Sequence, residues 1–204
     1  VDPKAVTITV NNASKTYGEA DPTPFTAVVD GLVNASDLGD ITYSRTNATV
    51  EEAGTYTDVL DASYTANNNY TVTVDKGDFT INPAGTMTLT ATLYNGEYDG
   101  DAHGITATPS VTVGTTLYYS TDNSTWSTTP LTYTHVSETP VTVYVKAENP
   151  NYTTATANAT VTITKKDVTI AAADANKVYG TSDPVFADAT ISTYIGTELA
   201  GINL

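Results

Sequence analysis

The residues best suited to chemistry are few. His103 and His135 are the only histidines, no cysteine is present, and 23 acidic side chains supply the remaining candidate ligands and proton carriers. Two histidines that do not share a metal-ligand spacing cannot assemble a zinc site, which needs three or four nitrogen or sulfur ligands. Asp99-Gly100-Asp101 has the flavour of a calcium loop, with Glu97 as a further oxygen donor. An EF-hand loop needs additional ligands and a closing glutamate, and these are missing. No nucleophile elbow surrounds any serine. Carboxylate pairs could serve a glycosidase, yet no stretch is long enough to insert a substrate cleft into the strand-rich pattern described below. The expectation is a protein that is not an enzyme and carries no cofactor, with calcium as the one alternative.

Aromatic residues are the next candidates for binding. Trp126 is the single tryptophan, and 14 tyrosines accompany it. Tyr118 and Tyr144 share the outward parity of their strands and could join Trp126 in a platform for sugar rings. Aromatics on strands also cover cross-strand neighbours, and that reading competes with ligand binding. Lys15 and Lys177, each near an acid and asparagine, are candidates for an intramolecular isopeptide bond. Both fall inside turn signals instead of apolar strand centres, which weighs against it. Asn-x-Thr triplets, among them Asn47 and Asn69, matter only in a glycosylating pathway.

The positions of these residues follow from an internal repeat. Val6-Thr7-Ile8 and Lys15-Thr16-Tyr17-Gly18-Glu19-Ala20-Asp21-Pro22 recur as Val168-Thr169-Ile170 and Lys177-Val178-Tyr179-Gly180-Thr181-Ser182-Asp183-Pro184, at a constant offset of 162. A second match at offset 82 carries Asn69-Tyr70 and Thr80-Ile81 onto Asn151-Tyr152 and Thr162-Ile163. The unit is therefore about 80 residues. The expected divisions are 1–83, 84–164 and a partial third repeat at 165–204, in which Glu198-Leu199-Ala200-Gly201-Ile202 aligns with Asp37-Leu38-Gly39-Asp40-Ile41. The partial repeat and the missing starting Met read as an excised piece. In both octets Gly takes a special backbone angle, Asp-Pro starts a turn, and Tyr packs across the end of the module. Tyr17, Gly18, Asp21 and Pro22, with Tyr179, Gly180, Asp183 and Pro184, are thus expected to be a structural turn signature and not a binding loop.

Period-two alternation dominates the rest. Val6, Ile8 and Val10 share one face; Phe25, Ala27 and Val29 another; Tyr70, Val72 and Val74 a third. Parity flips between Val74 and Phe79, which predicts a turn or bulge at Gly77 with positive φ. Val141, Val143, Val145 and Ala147, then Ala155 to Ile163, predict a hairpin turning at Asn149-Pro150-Asn151. The fold expected is all-β: small antiparallel Ig-like sandwiches in tandem, joined by short linkers into a rod. The one helical candidate is a single turn at Asn34 to Leu38.

The charge is −15, from 8 basic and 23 acidic residues. Such a surface repels phosphate backbones and acidic lipids, which excludes nucleic acid as a partner. No apolar run reaches the roughly 18 residues of a membrane span. Packed cores must hold the fold without disulfides.

The Lys15 to Pro22 octet, with Gly31-Leu32-Val33-Asn34, Gly54-Thr55-Tyr56, Asn69-Tyr70-Thr71 and Phe79-Thr80-Ile81, resembles the MBG-type repeats of large bacterial adhesins. Tyr98-Asp99-Gly100-Asp101, Tyr119-Ser120-Thr121-Asp122, Trp126 and Val143-Tyr144-Val145-Lys146-Ala147 resemble bacterial Ig-like or YDG-type repeats. The resemblance implies an extracellular location, at the bacterial surface or secreted, and a stalk role whose partners are neighbouring repeats. Glycans or host surface glycoproteins are the alternative partners. For the MBG units it also leaves open a β-grasp-like sheet with one short helix.

Overall fold

The structure is a computed structural model that describes residues 1–195. Two compact units divide it. The first comprises Val1–Met87 with Val111–Thr115 and Glu148–Thr154; the second takes Thr88–Ser110, Thr116–Ala147 and the chain from Ala155 on.

The first repeat is a two-sheet sandwich of seven strands. In chain order these are β1 (Lys4–Val10), β2 (Ala13–Thr16), β3 (Ala27–Asp30), β4 (Thr42–Arg45), β5 (Gly54–Ser63), β6 (Tyr70–Asp75) and β7 (Gly77–Asn82). One sheet has the order β3-β1-β6, the other β2-β7-β5-β4. The alternation decides what is inside: Val6, Ile8 and Val10 from one sheet meet Leu60, Phe79 and Ile81 from the other, all buried. Burying side chains of this kind stabilises the fold by about 1.5–3 kcal/mol apiece. Pairing is mixed, a refinement of the antiparallel expectation. β1 runs parallel to β6, with Lys4 opposite Tyr70 and Thr9 opposite Asp75, and β2 runs parallel to β7. Parallel partners need a long connection between them, and here it is nearly the whole repeat.

The parity flip before Phe79 has its cause in topology. β6 and β7 belong to different sheets, and Lys76 alone connects them. Gly77 does not adopt positive φ as expected. Its role is spatial, since a Cβ there would lie 2.8 Å from the Val10 carbonyl oxygen. The segment proposed as a single helical turn forms successive turns instead, closed by Asp37 N–H to Asn34 O and Gly39 N–H to Ser36 O. It drops Leu38 into the core. The β-grasp alternative therefore has no helix in the first repeat.

The second repeat supplies β8 (Ala84–Thr86), β9 (Leu89–Thr92), β10 (Tyr94–Glu97), β11 (Thr106–Pro109), β12 (Thr116–Ser120), β13 (Val141–Asn149) and β14 (Tyr152–Thr164). β13 and β14, joined through Pro150-Asn151, are the expected hairpin and centre the order β10-β14-β13-β12. Val143, Val145 and Val161 are fully buried, with Tyr119 beside them. β9 pairs antiparallel with β11 in a second small sheet. A 3-10 turn at Val136–Glu138 is the one helical element among the described residues.

The last described stretch holds β15 (Thr169–Ala171) and β16 (Thr190–Ser192), an antiparallel pair. Its register is Ile170 to Ile191, against Ile8 to Val29 in β1 and β3, so the offset of 162 persists on both strands. The expected counterpart of Asp37 to Ile41, Glu198 to Ile202, lies outside the described residues.

Candidate functional site

The octet of the first repeat is the start of an ionic cluster whose two cations are buried and whose Glu51 reaches solvent. Lys15 lies within β2 and is buried, a correction to its placement in a turn: the strand exists because it pairs with β7, a partner far away in sequence. Its Nζ meets Asp21 Oδ1 at 2.9 Å and also contacts Glu51. Arg45, equally buried, places Nε 2.9 Å from Asp21 Oδ2 and donates from Nη2 to Glu51 Oε1 at 2.8 Å. The two contacts to Asp21 are ionic more than directional, since neither Asp21 Oδ1 nor Arg45 Nε has an aligned hydrogen bond. Arg45 also donates to the carbonyls of Ala48 and Val50 and lies 4.5 Å over the Phe79 ring. Two cations face two carboxylates, so the cluster is neutral, which makes its burial tolerable. Burial alone would lower the Lys15 pKa, but its bonds to Glu51 and Asp21 outweigh that and raise it. The Lys15 bond holds Glu51 below the ordinary glutamate range.

The turn falls at Tyr17-Gly18, closed by Glu19 N–H to Thr16 O, while Asp21-Pro22, expected to start a turn, lies outside it. Gly18 has φ +85 and no atom within 4 Å of a built Cβ, so backbone angle alone demands glycine there. Tyr17 packs against the core, donates its N–H to Asn82 O, and meets the Tyr152 ring edge-on at 5.7 Å within the same unit. Pro22 is exposed. In the partial repeat Gly180 has φ +83, and Lys177 Nζ reaches Asp183 Oδ1 at 2.5 Å. Tyr179 is fully exposed there and Pro184 half-buried. Arg45 and Glu51 were missed by sequence reading; a lone arginine opposite a glutamate six residues on was the available signal.

The aromatic candidates are only partly assembled. Lys146 Nζ lies 4.9 Å from the Tyr118 ring centre and 5.0 Å from that of Trp126. An ammonium over two rings is a favourable cation–π arrangement, and it occupies the faces that a sugar would use. Tyr144 precedes Lys146 by two residues on β13 and is not drawn into this contact. Beneath Trp126, Asp122 accepts N–H bonds from Thr125 and Ser124 and the Ser120 hydroxyl, which hold its pKa far below the usual range.

Asp99 is engaged by His103 at 2.9 Å and by the Asp101 N–H. The imidazole lies flat on Tyr94, 4.0 Å between ring centres, and His135 stacks on Tyr98. Among the described residues no group of three His, Cys, Asp or Glu side chains converges as a cation would require. No helix among them is long and apolar enough to cross a membrane.

The signature octet, the glycine turn and the seven-strand frame agree with one family. Residues 6–80 match the MBG domain of the YGX type. The first repeat is of the MBG type, and Tyr17-Gly18-Glu19 fits the Tyr-Gly-X of that description. MBG domains are typical of surface proteins. Comparison with curated proteins finds no match. Within the MBG repeat the octet supplies ion pairs and a turn, and its Lys15 and Asp21 are committed to partners within the repeat.

Proposed function

We propose that the chain is a structural segment of a bacterial surface adhesin, its repeats acting as extracellular spacers that project a distal binding domain. The observation that supports this is the inward commitment of the first octet. Its Lys15 and Asp21 are ion-paired with Glu51 and Arg45 of the same repeat, so there the octet acts as a folding device. On this reading the middle repeat is of the Ig-like or YDG type, the partners are neighbouring repeats, and no catalysis or cofactor is involved.

Small-angle scattering tests the spacer role. A particle with the radius of one 200-residue globule, about 16 Å, would overturn it.

A second reading rests on Tyr118, Trp126 and Lys146, three half-buried side chains brought together by the lysine's contact with both rings. Here the repeats themselves bind glycans or host glycoproteins. A glycan array on the whole chain separates the two. Reproducible binding that Trp126→Ala abolishes favours the second, and a blank array favours the first.

A further inference from the structure

The compact unit built around the MBG repeat is larger than the repeat itself. It also takes in the tip of the β13–β14 hairpin, Glu148–Thr154, and the loop Val111–Thr115. The tip is shaped from within its own repeat. Asn149 donates from Nδ2 to Val113 O at 2.9 Å and accepts the Asn151 N–H at 3.0 Å. Ala84 N–H donates to Asn151 O at 2.8 Å.

The first repeat contains the same bend 82 positions earlier. Asn67 donates to Asp37 O at 3.0 Å and accepts the Asn69 N–H at 3.0 Å, and Lys4 N–H donates to Asn69 O at 2.8 Å. Asn67-Asn68-Asn69-Tyr70 and Asn149-Pro150-Asn151-Tyr152 are thus one preformed element, Asn-x-Asn-Tyr, whose first Asn ties the bend to a loop of its own repeat.

The two tips part at the second Asn. Asn69 is exposed. Asn151 is half-buried, and its Oδ1 accepts the Ala53 N–H at 2.8 Å. Ala53 packs against the core of the MBG repeat, and a backbone donor in such a place needs an acceptor. It finds one outside its own repeat. Beside this bond Tyr152 meets Tyr17, and Pro150 lines a pocket with Ala53, Gly54, Ile81 and Pro83. Tyr17 follows Lys15 by two residues and Ala53 follows Glu51 by two, so the tip bridges the segments that carry this ion pair.

We propose that Asn-x-Asn-Tyr is a docking element, and that the Tyr17–Ala53 face of the MBG repeat receives the hairpin tip of the repeat that follows it. The MBG repeat reaches its full stability only with the tip seated, because the tip holds the Lys15 and Glu51 segments together. This coupling lies within one compact unit and is independent of both functional readings above.

The test uses the whole chain and a matched pair of substitutions, Asn151→Ala and Asn69→Ala, which remove the same side chain from the same bend. Asn151→Ala should speed amide exchange at Ala53 and throughout β1 and β5 by about 5-fold or more, as expected for one lost hydrogen bond. Asn69→Ala should change them by less than about 2-fold. The proposal is overturned if Asn151→Ala leaves β1 and β5 as protected as before, or if Asn69→Ala exposes them equally. Should Asn151→Ala unfold the hairpin, seen as lost protection at Val143 and Val145, Tyr17→Ala and Tyr152→Ala decide. Their combined effect on β1 and β5 should fall short of the product of the single effects, and a full product overturns the coupling.

Discussion

Residues 15–22 and 177–184 place nearly the same side chains in two surroundings. Both form a turn with Gly near φ +85 and both close a Lys–Asp contact across six residues. Those features are local, and they survive without the rest of the repeat. Burial, the strand before the turn and the cation for the carboxylate are supplied from elsewhere. They appear in the first repeat with β4, β5 and β7, where Arg45 is a second cation for Asp21, whereas Lys177 and Asp183 are exposed and have no strand directly before the turn. The octet thus encodes a bend and an ion pair, and the remainder of the module turns that pair into a core element. A third position sharpens the contrast. Gly31, φ +97, sits where a Cβ would be 2.4 Å from Ala5 O. Its counterpart at offset 162 is Thr193, held at φ 68 with its hydroxyl donating to Asp167 O, the carbonyl equivalent to that of Ala5.

The comparison can be broken most forcefully at the core. Phe79→Ala removes a fully buried ring that also carries Arg45, and should destabilise the first repeat by about 3–5 kcal/mol. Chemical denaturation, followed by amide exchange in β1 and β5, measures it. The same change has no counterpart among the described residues of the partial repeat. Asp21→Ala comes next. It leaves Lys15 and Arg45 buried against Glu51 alone and should cost about 3 kcal/mol. Asp183→Ala should leave the melting curve unmoved, because its ion pair is solvated. Equal effects at the two sites would show that the cluster is not what separates the repeats.

Smaller effects probe the backbone. Gly31→Ala should cost about 2 kcal/mol from its left-handed angle and the close carbonyl. Thr193→Gly should strengthen the β15–β16 pair by about 1 kcal/mol, read from exchange at Ile170 and Ile191.

The mildest test is acid. Tyr70, donating to Asp37, holds that carboxyl below its usual range; Lys76 does the same for Asp61, and Lys15 for Glu51. Folded values lowered in this way contribute stability that is present above the unfolded pKa, about 4, and lost as pH falls through the folded values. Melting of the first repeat should be level above about pH 5 and decline below it. A decline as pH rises from 7 to 9 would contradict the sign.

Much of the fold was legible because side-chain alternation is a local property. Val6, Ile8, Val10, Val143 and Val145 declare their burial by spacing alone. The hairpin at Pro150 was equally plain. Pairing direction was hidden, since whether β1 lies beside β3, β6 or both depends on how distant segments meet. Gly77 was misjudged for a related reason: its constraint comes from the backbone of Val10 and Asn11, which no neighbour in sequence reveals. Lys15 looked like a turn residue because the strand opposite it, with Ile81 as its partner, lies at the far end of the repeat. The aromatic group was half legible. Parity put Tyr118 and Lys146 on outward faces, but nothing in the spacing indicated that the ammonium would cover both rings.

The parallel alliance of β1 with β6 has a mechanical meaning. Tension applied at Lys4 and at Asp75, in opposite directions along the strands, slides one past the other. The rungs from Lys4–Tyr70 to Thr9–Asp75 are then loaded in shear and must yield together. A repeat that opened like a zip would surrender them singly, at far lower force.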